Sequence, residues 1–219
     1  MINTGSIIEP HRDRPVFESG CVIRDAKAAM IMIHGRGASA QSILSLAAEF
    51  KTDNVLYLAP QASNNTWYPY RFFDPVEANE PGITSGLQFI DLLLAYLTEN
   101  GIPDNKIFLL GFSQGACLTL EYAARNPRNF AGVIGLSGGL IGPMGMKFDL
   151  SGNFTNQTEV FLGCSDSDFH IPLQRVNETA DIFTKMGAKV IKEIYENMGH
   201  TVNEDEIEHI INLLKKINN

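Results

Sequence analysis

The chain reads as an α/β protein, a mostly parallel central sheet flanked by helices on both faces. Three observations predict this. Apolar runs alternate with segments whose apolar residues fall at helical spacing, the pattern of strands joined through helices. The length of 219 residues suffices for one domain with a sizeable core. Hydrophobic residues make up 44% and charged residues 19%, the ordinary balance of a soluble globular protein. No internal repeat, low-complexity stretch or linker divides it. Residues 1–219 are therefore expected to form a single domain without a separate lid.

In chain order, strands are predicted at Val16–Arg24, Ala28–Ile33, Asn54–Ala59, Lys106–Gly111, Gly132–Leu136, Glu159–Gly163 and Lys189–Tyr195. Only Asp25 to Lys27 separate the first two, so an antiparallel hairpin edge is expected there. Helices follow from a 3.6-residue period. Ile43, Leu46, Ala47 and Phe50 share one face, and Ile83, Leu87, Ile90, Leu94 and Leu97 share the face of a longer helix ending at Gly101. A further helix starts after Pro172 and carries Val176, Ala180 and Phe183. The last presents Ile207, Ile210, Ile211, Leu214 and Ile217, with acidic residues at its start and Lys215-Lys216 at its end, as the helix dipole favours. Gln61–Pro81 and Gly138–Gln157 are irregular, and loops this long in a compact domain are usually functional or mobile.

The most telling local pattern is Gly111-Phe112-Ser113-Gln114-Gly115. It follows a predicted strand and opens a run with no Gly or Pro between Ala116 and Asn126. Strand, sharp turn with Ser at its apex, then helix is the setting of a nucleophile elbow. The glycines are needed because a Cβ on either side would crowd the neighbouring strand and helix. Gly135-Leu136-Ser137-Gly138-Gly139 also matches the motif, but Gly142, Pro143 and Gly145 follow and cannot open a stable helix. Ser113 is thus the candidate nucleophile. Ser137 is expected at a strand end, beside a Gly-rich loop able to line a pocket.

A serine needs a base within hydrogen-bond reach. Along the chain the elbow is followed by an acid, then a histidine before the last helix. Asp166 and Asp168 both lie in the loop after the Glu159–Gly163 strand, and residue types alone leave the choice open. His200, after Gly199 and just before the last helix, is the candidate base. An imidazole can take the serine proton and return it to a leaving group. The oxyanion donors are expected to be the backbone N–H of Gln114, next to the nucleophile, and that of Arg36 in the loop His34-Gly35-Arg36-Gly37-Ala38. His34 is read as a brace of that loop. His170 is out of chain order for the base, and His11 and His209 are read as solvated.

The net charge of −8 and the lack of a basic patch argue against nucleic acid and anionic membranes as main partners. Three cysteines, Cys21, Cys117 and Cys164, in odd number and without metal-type spacing, read as reduced and mostly buried. Together with the absence of an apolar leader, this points to the cytoplasm. No apolar run approaches the ~18 residues of a membrane span.

With these residues in place the chain resembles the phospholipase/carboxylesterase family of α/β-hydrolases, which includes the acyl-protein thioesterases. The resemblance runs from about Ala28 to Ile217. It is carried by His34-Gly35-x-Gly37, Ala59-Pro60, Gly111-Phe112-Ser113-Gln114-Gly115, Leu136-Ser137-Gly138, an Asp-x-x-x-Pro pattern and Gly199-His200. It implies the α/β-hydrolase fold and a triad of Ser113, Asp168 and His200. The family's acid stands four residues before the Pro, which selects Asp168 by its distance from Pro172. The loop from Gly163 is two residues longer than in thioesterase-like members, so Asp166 keeps the family's distance from the Gly. The distance to the helix start is preferred, because it decides where the acid enters the site. The loop Gln61–Phe73 departs from the eukaryotic thioesterases and resembles a bacterial subgroup of small carboxylesterases.

That loop supplies Trp67, Tyr68, Phe72 and Phe73, which either cap the core or wall an acyl or alcohol pocket, with Leu140 and Ile141 as the opposite wall. Trp67, Tyr68, Phe73 and Leu140 are the candidate substrate-binding residues, since such pockets are mostly apolar. The expected activity is cleavage of carboxylic or thio esters through an acyl-enzyme. The alternative is a catalytically silent small-molecule-binding protein on the same fold. A small-molecule ester is the expected partner, and the chain is expected to act as a monomer or homodimer. The chemistry needs only water as second substrate, so no metal and no organic cofactor is implied.

Overall fold

The structure, a computed structural model, describes residues 2–155 and 158–218. Asn156 and Gln157, which end the second irregular segment, lie outside the described residues. Among the described residues seven strands form one sheet: β1 (Val16–Gly20), β2 (Ala28–Ile33), β3 (Val55–Pro60), β4 (Ile107–Phe112), β5 (Gly132–Leu136), β6 (Glu159–Ser165) and β7 (Lys189–Tyr195). Their order is β1-β3-β2-β4-β5-β6-β7, and every pair except β1–β3 is parallel.

The edge differs from the expected hairpin. β1 pairs antiparallel with β3, Val16 facing Pro60 and Gly20 facing Leu56, and does not pair with β2. The strand stops at Gly20, whose φ of +82° turns the chain, and a short 3₁₀ turn at Ile23–Asp25 follows. Sequence proximity is overridden by burial. β2 is buried at every position, so it takes a central place with β3 and β4 at its two edges. β1 is half-buried at best and suits the rim.

Among the described residues six α-helices cover the sheet: α1 (Ala40–Leu44), α2 (Ala47–Phe50), α3 (Gly82–Glu99), α4 (Gln114–Arg125), α5 (Leu173–Lys185) and α6 (Glu204–Lys215). The alternation of a strand splits the core in two. Ala29, Ile31 and Ile33 of β2 pack with residues of α3, α4 and α5. Ala28, Met30 and Met32 pack with residues of α1, α2 and α6 on the other face. The helix expected around Ile43–Phe50 is two short pieces. Ser42 Oγ and Ser45 Oγ donate to the carbonyls of Ser39 and Ser42, at 2.6 and 2.7 Å, and such side-chain bonds compete with helix continuation. α6 begins with a capping box, Asn203 with Glu206, and three acidic residues fill its first turn.

Candidate active site

The loops leaving the carboxyl ends of β2, β4, β6 and β7 converge on one side of the sheet, where open α/β sheets bind ligands. Ser113 sits between β4 and α4 with φ 55° and ψ −120°, a backbone conformation few non-glycine residues adopt. The flanking glycines explain how this turn fits. A Cβ on Gly115 would run into the carbonyls of Ile33 and His34, and one on Gly111 into the backbone of Gly115.

His200 lies in the loop between β7 and α6. Its Nε2 is 2.8 Å from Ser113 Oγ, and its Nδ1 is 2.6 Å from Asp168 Oδ2. The Asp168 side chain is fully buried, and its Oδ1 already accepts from the N–H groups of His170 and Ile171 at 2.8 and 3.1 Å. A carboxylate so engaged only accepts, so the imidazole proton sits on Nδ1 and Nε2 is left to accept from the serine hydroxyl. One hydrogen-bonded line of hydroxyl, imidazole and buried carboxylate can draw the proton off Ser113. Asp166 lies elsewhere: its Oδ1 accepts from the N–H of Asn197 at 2.9 Å, tying the β6 loop to the β7 loop. The imidazole of His170 stands edge-on to His200, ring centres 4.8 Å apart, and faces the cleft.

Among the described residues, the N–H groups of Arg36 and Gln114 have no hydrogen-bond acceptor. Gln114 opens α4, where N–H groups lack intrahelical partners and the dipole favours negative charge. The loop carrying Arg36 is held from below. His34 is fully buried, its Nδ1–H donates to Gly35 O at 2.8 Å, and its Nε2 accepts from the N–H of Ala62 at 3.1 Å. Burial lowers its pKa, which keeps the ring neutral and able to accept. The Arg36 guanidinium donates to Pro69 O at 2.7 Å and to Tyr70 O, fastening this loop to the aromatic one.

A cleft of about 520 Å³ opens over Ser113 and His200, within the usual size of small-molecule sites. Of the four residues expected to bind substrate, only Tyr68 lines it. Trp67 is fully buried beneath the site, and its indole N–H donates to His34 O at 2.9 Å. Leu140 is fully buried against α5, where its N–H donates to Thr179 Oγ1. The Phe73 ring packs on Phe72 and lies under the Arg71 guanidinium, and Phe72 takes its place in the wall. Period and composition do not reveal which side of an irregular loop points inward. Ser137 is buried at the end of β5 and is absent from the cleft lining, as are Gly138 and Gly139.

Residues the sequence did not single out complete the wall: Tyr70, Arg71, Asp74 and Ile171. The Gln114 side chain was also missed. Its Oε1 accepts from the N–H of Trp67 at 2.8 Å and its Nε2 donates to Tyr68 O at 2.8 Å, pinning the aromatic loop to the elbow. His11, expected in solvent, is fully buried against Trp67, because the segment before β1 folds back under the site. His209 is partly buried, its ring stacked on Phe161.

Sheet order, elbow and site position define an α/β-hydrolase. The phospholipase/carboxylesterase family model matches residues 19–218, and the chain belongs to that family. It is 27% identical over 214 residues to acyl-protein thioesterase 1 of Candida albicans, covering 88% of this chain and 93% of that one. A phospholipase/carboxylesterase of Dyadobacter fermentans superposes with a TM-score of 0.89 at 40% identity, covering 96% of this chain and all of the other. Esterase PE8, at 22% identity and a TM-score of 0.76, shares the fold. The protein is accordingly a hydrolase of the carboxylesterase kind. Among the described residues no helix is long and apolar enough to cross a membrane.

Proposed function

We propose that this hydrolase cleaves carboxylic or thio esters of small molecules through a Ser113–His200–Asp168 triad and an acyl-enzyme. His200 Nε2 takes the Ser113 proton as Oγ attacks the ester carbonyl. The tetrahedral oxyanion forms between the N–H groups of Arg36 and Gln114, donors worth on the order of 3 kcal/mol of barrier each. His200 then protonates the departing alcohol or thiol. Water, deprotonated by the same nitrogen, releases the acid and restores Ser113. Asp168 holds the imidazole tautomer and stabilises the imidazolium.

The observation that carries this reading is the unbroken line from Ser113 Oγ through both nitrogens of His200 to a buried carboxylate at a cleft wall. Three unpaired thiols suit a reducing compartment, which we take to be the cytoplasm. The test is hydrolysis of p-nitrophenyl esters from acetate to palmitate. Ser113→Ala is expected to lower kcat by about four to six orders of magnitude, with the fold retained. Turnover near the native level in that variant would refute the assignment.

A further inference from the structure

The segment of residues 2–14 precedes the stretch matched by the family model, yet it is built into the floor of the site. Ile7 is buried in the larger core, His11 N–H donates to Ser85 Oγ at 3.1 Å, and Ile8 N–H donates to Gln88 Oε1 at 3.0 Å, fixing the segment on α3. His11 is fully buried and both ring nitrogens are used. Nε2–H donates to Trp67 O at 3.0 Å, and Nδ1 accepts from the N–H of Ser63 at 3.1 Å. The rings of His11 and Trp67 meet edge-on, 5.0 Å between centres.

Trp67 in turn touches both halves of the candidate oxyanion hole. Its indole N–H holds the carbonyl of His34, in the peptide just before the one that carries the Arg36 N–H. Its backbone N–H holds the Gln114 side chain. A donor must stand within a few tenths of an ångström of where charge develops, so groups that orient it act on rate more than on binding. We propose that His11 is a positioning residue of the oxyanion hole, acting through Trp67, so that the segment before the family fold is part of the catalytic apparatus. This rests on the serine-esterase reading above. Burial, with smaller contributions from Arg14 and His34, lowers the His11 pKa to about 4, so the ring is neutral and its donor–acceptor pattern intact at neutral pH.

Trp67 is the chain's single tryptophan, so its emission reports this junction directly. His11→Phe keeps a ring and removes both hydrogen bonds, and His11→Gln keeps a donor and an acceptor. The expected result for His11→Phe is a shifted Trp67 emission and a kcat lowered about ten- to hundredfold, with KM within about twofold of the native value. Affinity for an aryl trifluoromethyl ketone, whose adduct places an oxyanion in the hole, is expected to fall in parallel. His11→Gln is expected to recover most of both. Trp67→Phe removes the indole donor and should reproduce the loss. It also serves as the test if His11→Phe does not fold, and unchanged kcat in folded Trp67→Phe overturns the proposal. So does native kcat in folded His11→Phe, or an equal rise in KM with no loss of ketone affinity. Ser113→Ala is measured alongside. If it stays active, the esterase reading fails. If it is dead while the His11 and Trp67 variants are unaffected, only the positioning role fails.

Discussion

At the residue scale, two carboxylates two positions apart are separated by their surroundings. Asp168 is buried, holds two backbone N–H groups and faces His200; Asp166 is exposed and ties two loops together. Asp168→Asn is expected to lower kcat about 10⁴-fold, the scale of a mis-set imidazole tautomer. Asp166→Asn should leave kcat within about threefold, and a stopped-flow comparison of the two decides the assignment. Glu206 makes a separate prediction. It is buried in α6, its Oε1 lacks a partner among the described residues, and burial raises its pKa to about 7. The folded state therefore holds a proton that the unfolded chain releases near pH 4.5. This contribution is fully present below about 4.5 and is lost as pH rises through about 7, at most about 3 kcal/mol. His11 works in the opposite sense, because its folded pKa is lowered: stability is present above about 6.5 and lost as pH falls through about 4. The Glu206 slope is thus read as a difference. Denaturant unfolding of native protein and Glu206→Gln between pH 5 and 8 should show the variant gaining relative stability as pH rises.

At the element scale, the elbow works because α4 starts one residue after Ser113 and packs against the end of β2. Gly115→Ala drives a Cβ into the Ile33 and His34 carbonyls, the very loop that carries Arg36. It should lose activity even where it folds, measurable as a kcat drop together with a lowered Tm. The loop after β5 depends on Arg175 of α5, a fully buried guanidinium. It donates to the carbonyls of Leu140, Gly142 and Pro143 at 2.6 to 2.8 Å and pairs with Glu178. Gly142 N–H then holds Phe72 O at 2.8 Å, behind the cleft wall. Arg175→Met leaves three carbonyls without a donor, and is expected to cost about 3 kcal/mol in denaturant unfolding and to raise KM. The helices also show where periodicity sufficed. Ile83, Ile90, Leu94 and Leu97 of α3 are buried as their spacing requires, while Leu87 sits at the edge of the stripe and is only partly buried.

At the scale of the whole molecule, an acidic chain carries a cleft whose wall mixes Phe72 and Ile171 with Arg36, Tyr70, Arg71 and His170. A long alkyl chain would lie across polar groups that burial leaves poorly hydrated. Short and medium acyl esters are therefore expected to give the highest kcat/KM, falling toward palmitate in the same p-nitrophenyl series.

Much of this was legible in the sequence, because some constraints are local. Alternating apolar runs and helical spacing identified the strands, and the two motif glycines marked the elbow, since no other residue fits beside Ser113. The chain order of Ser113, Asp168 and His200 could be anticipated, because each stands just beyond a strand end. Local pattern was enough to establish the α/β architecture, the strand-turn-helix at Ser113 and the family to which the chain belongs. The folded arrangement alone placed β1 on β3, Trp67 and Leu140 beneath the surface and not in the cleft, and His11 under the site, and it brings Asp168, already preferred for its distance from Pro172, and not Asp166, to His200. Those facts depend on contacts between residues tens of positions apart, fixed by competition among whole elements for the same apolar surface. A local pattern records what a residue can do, and burial by distant neighbours determines where it does it.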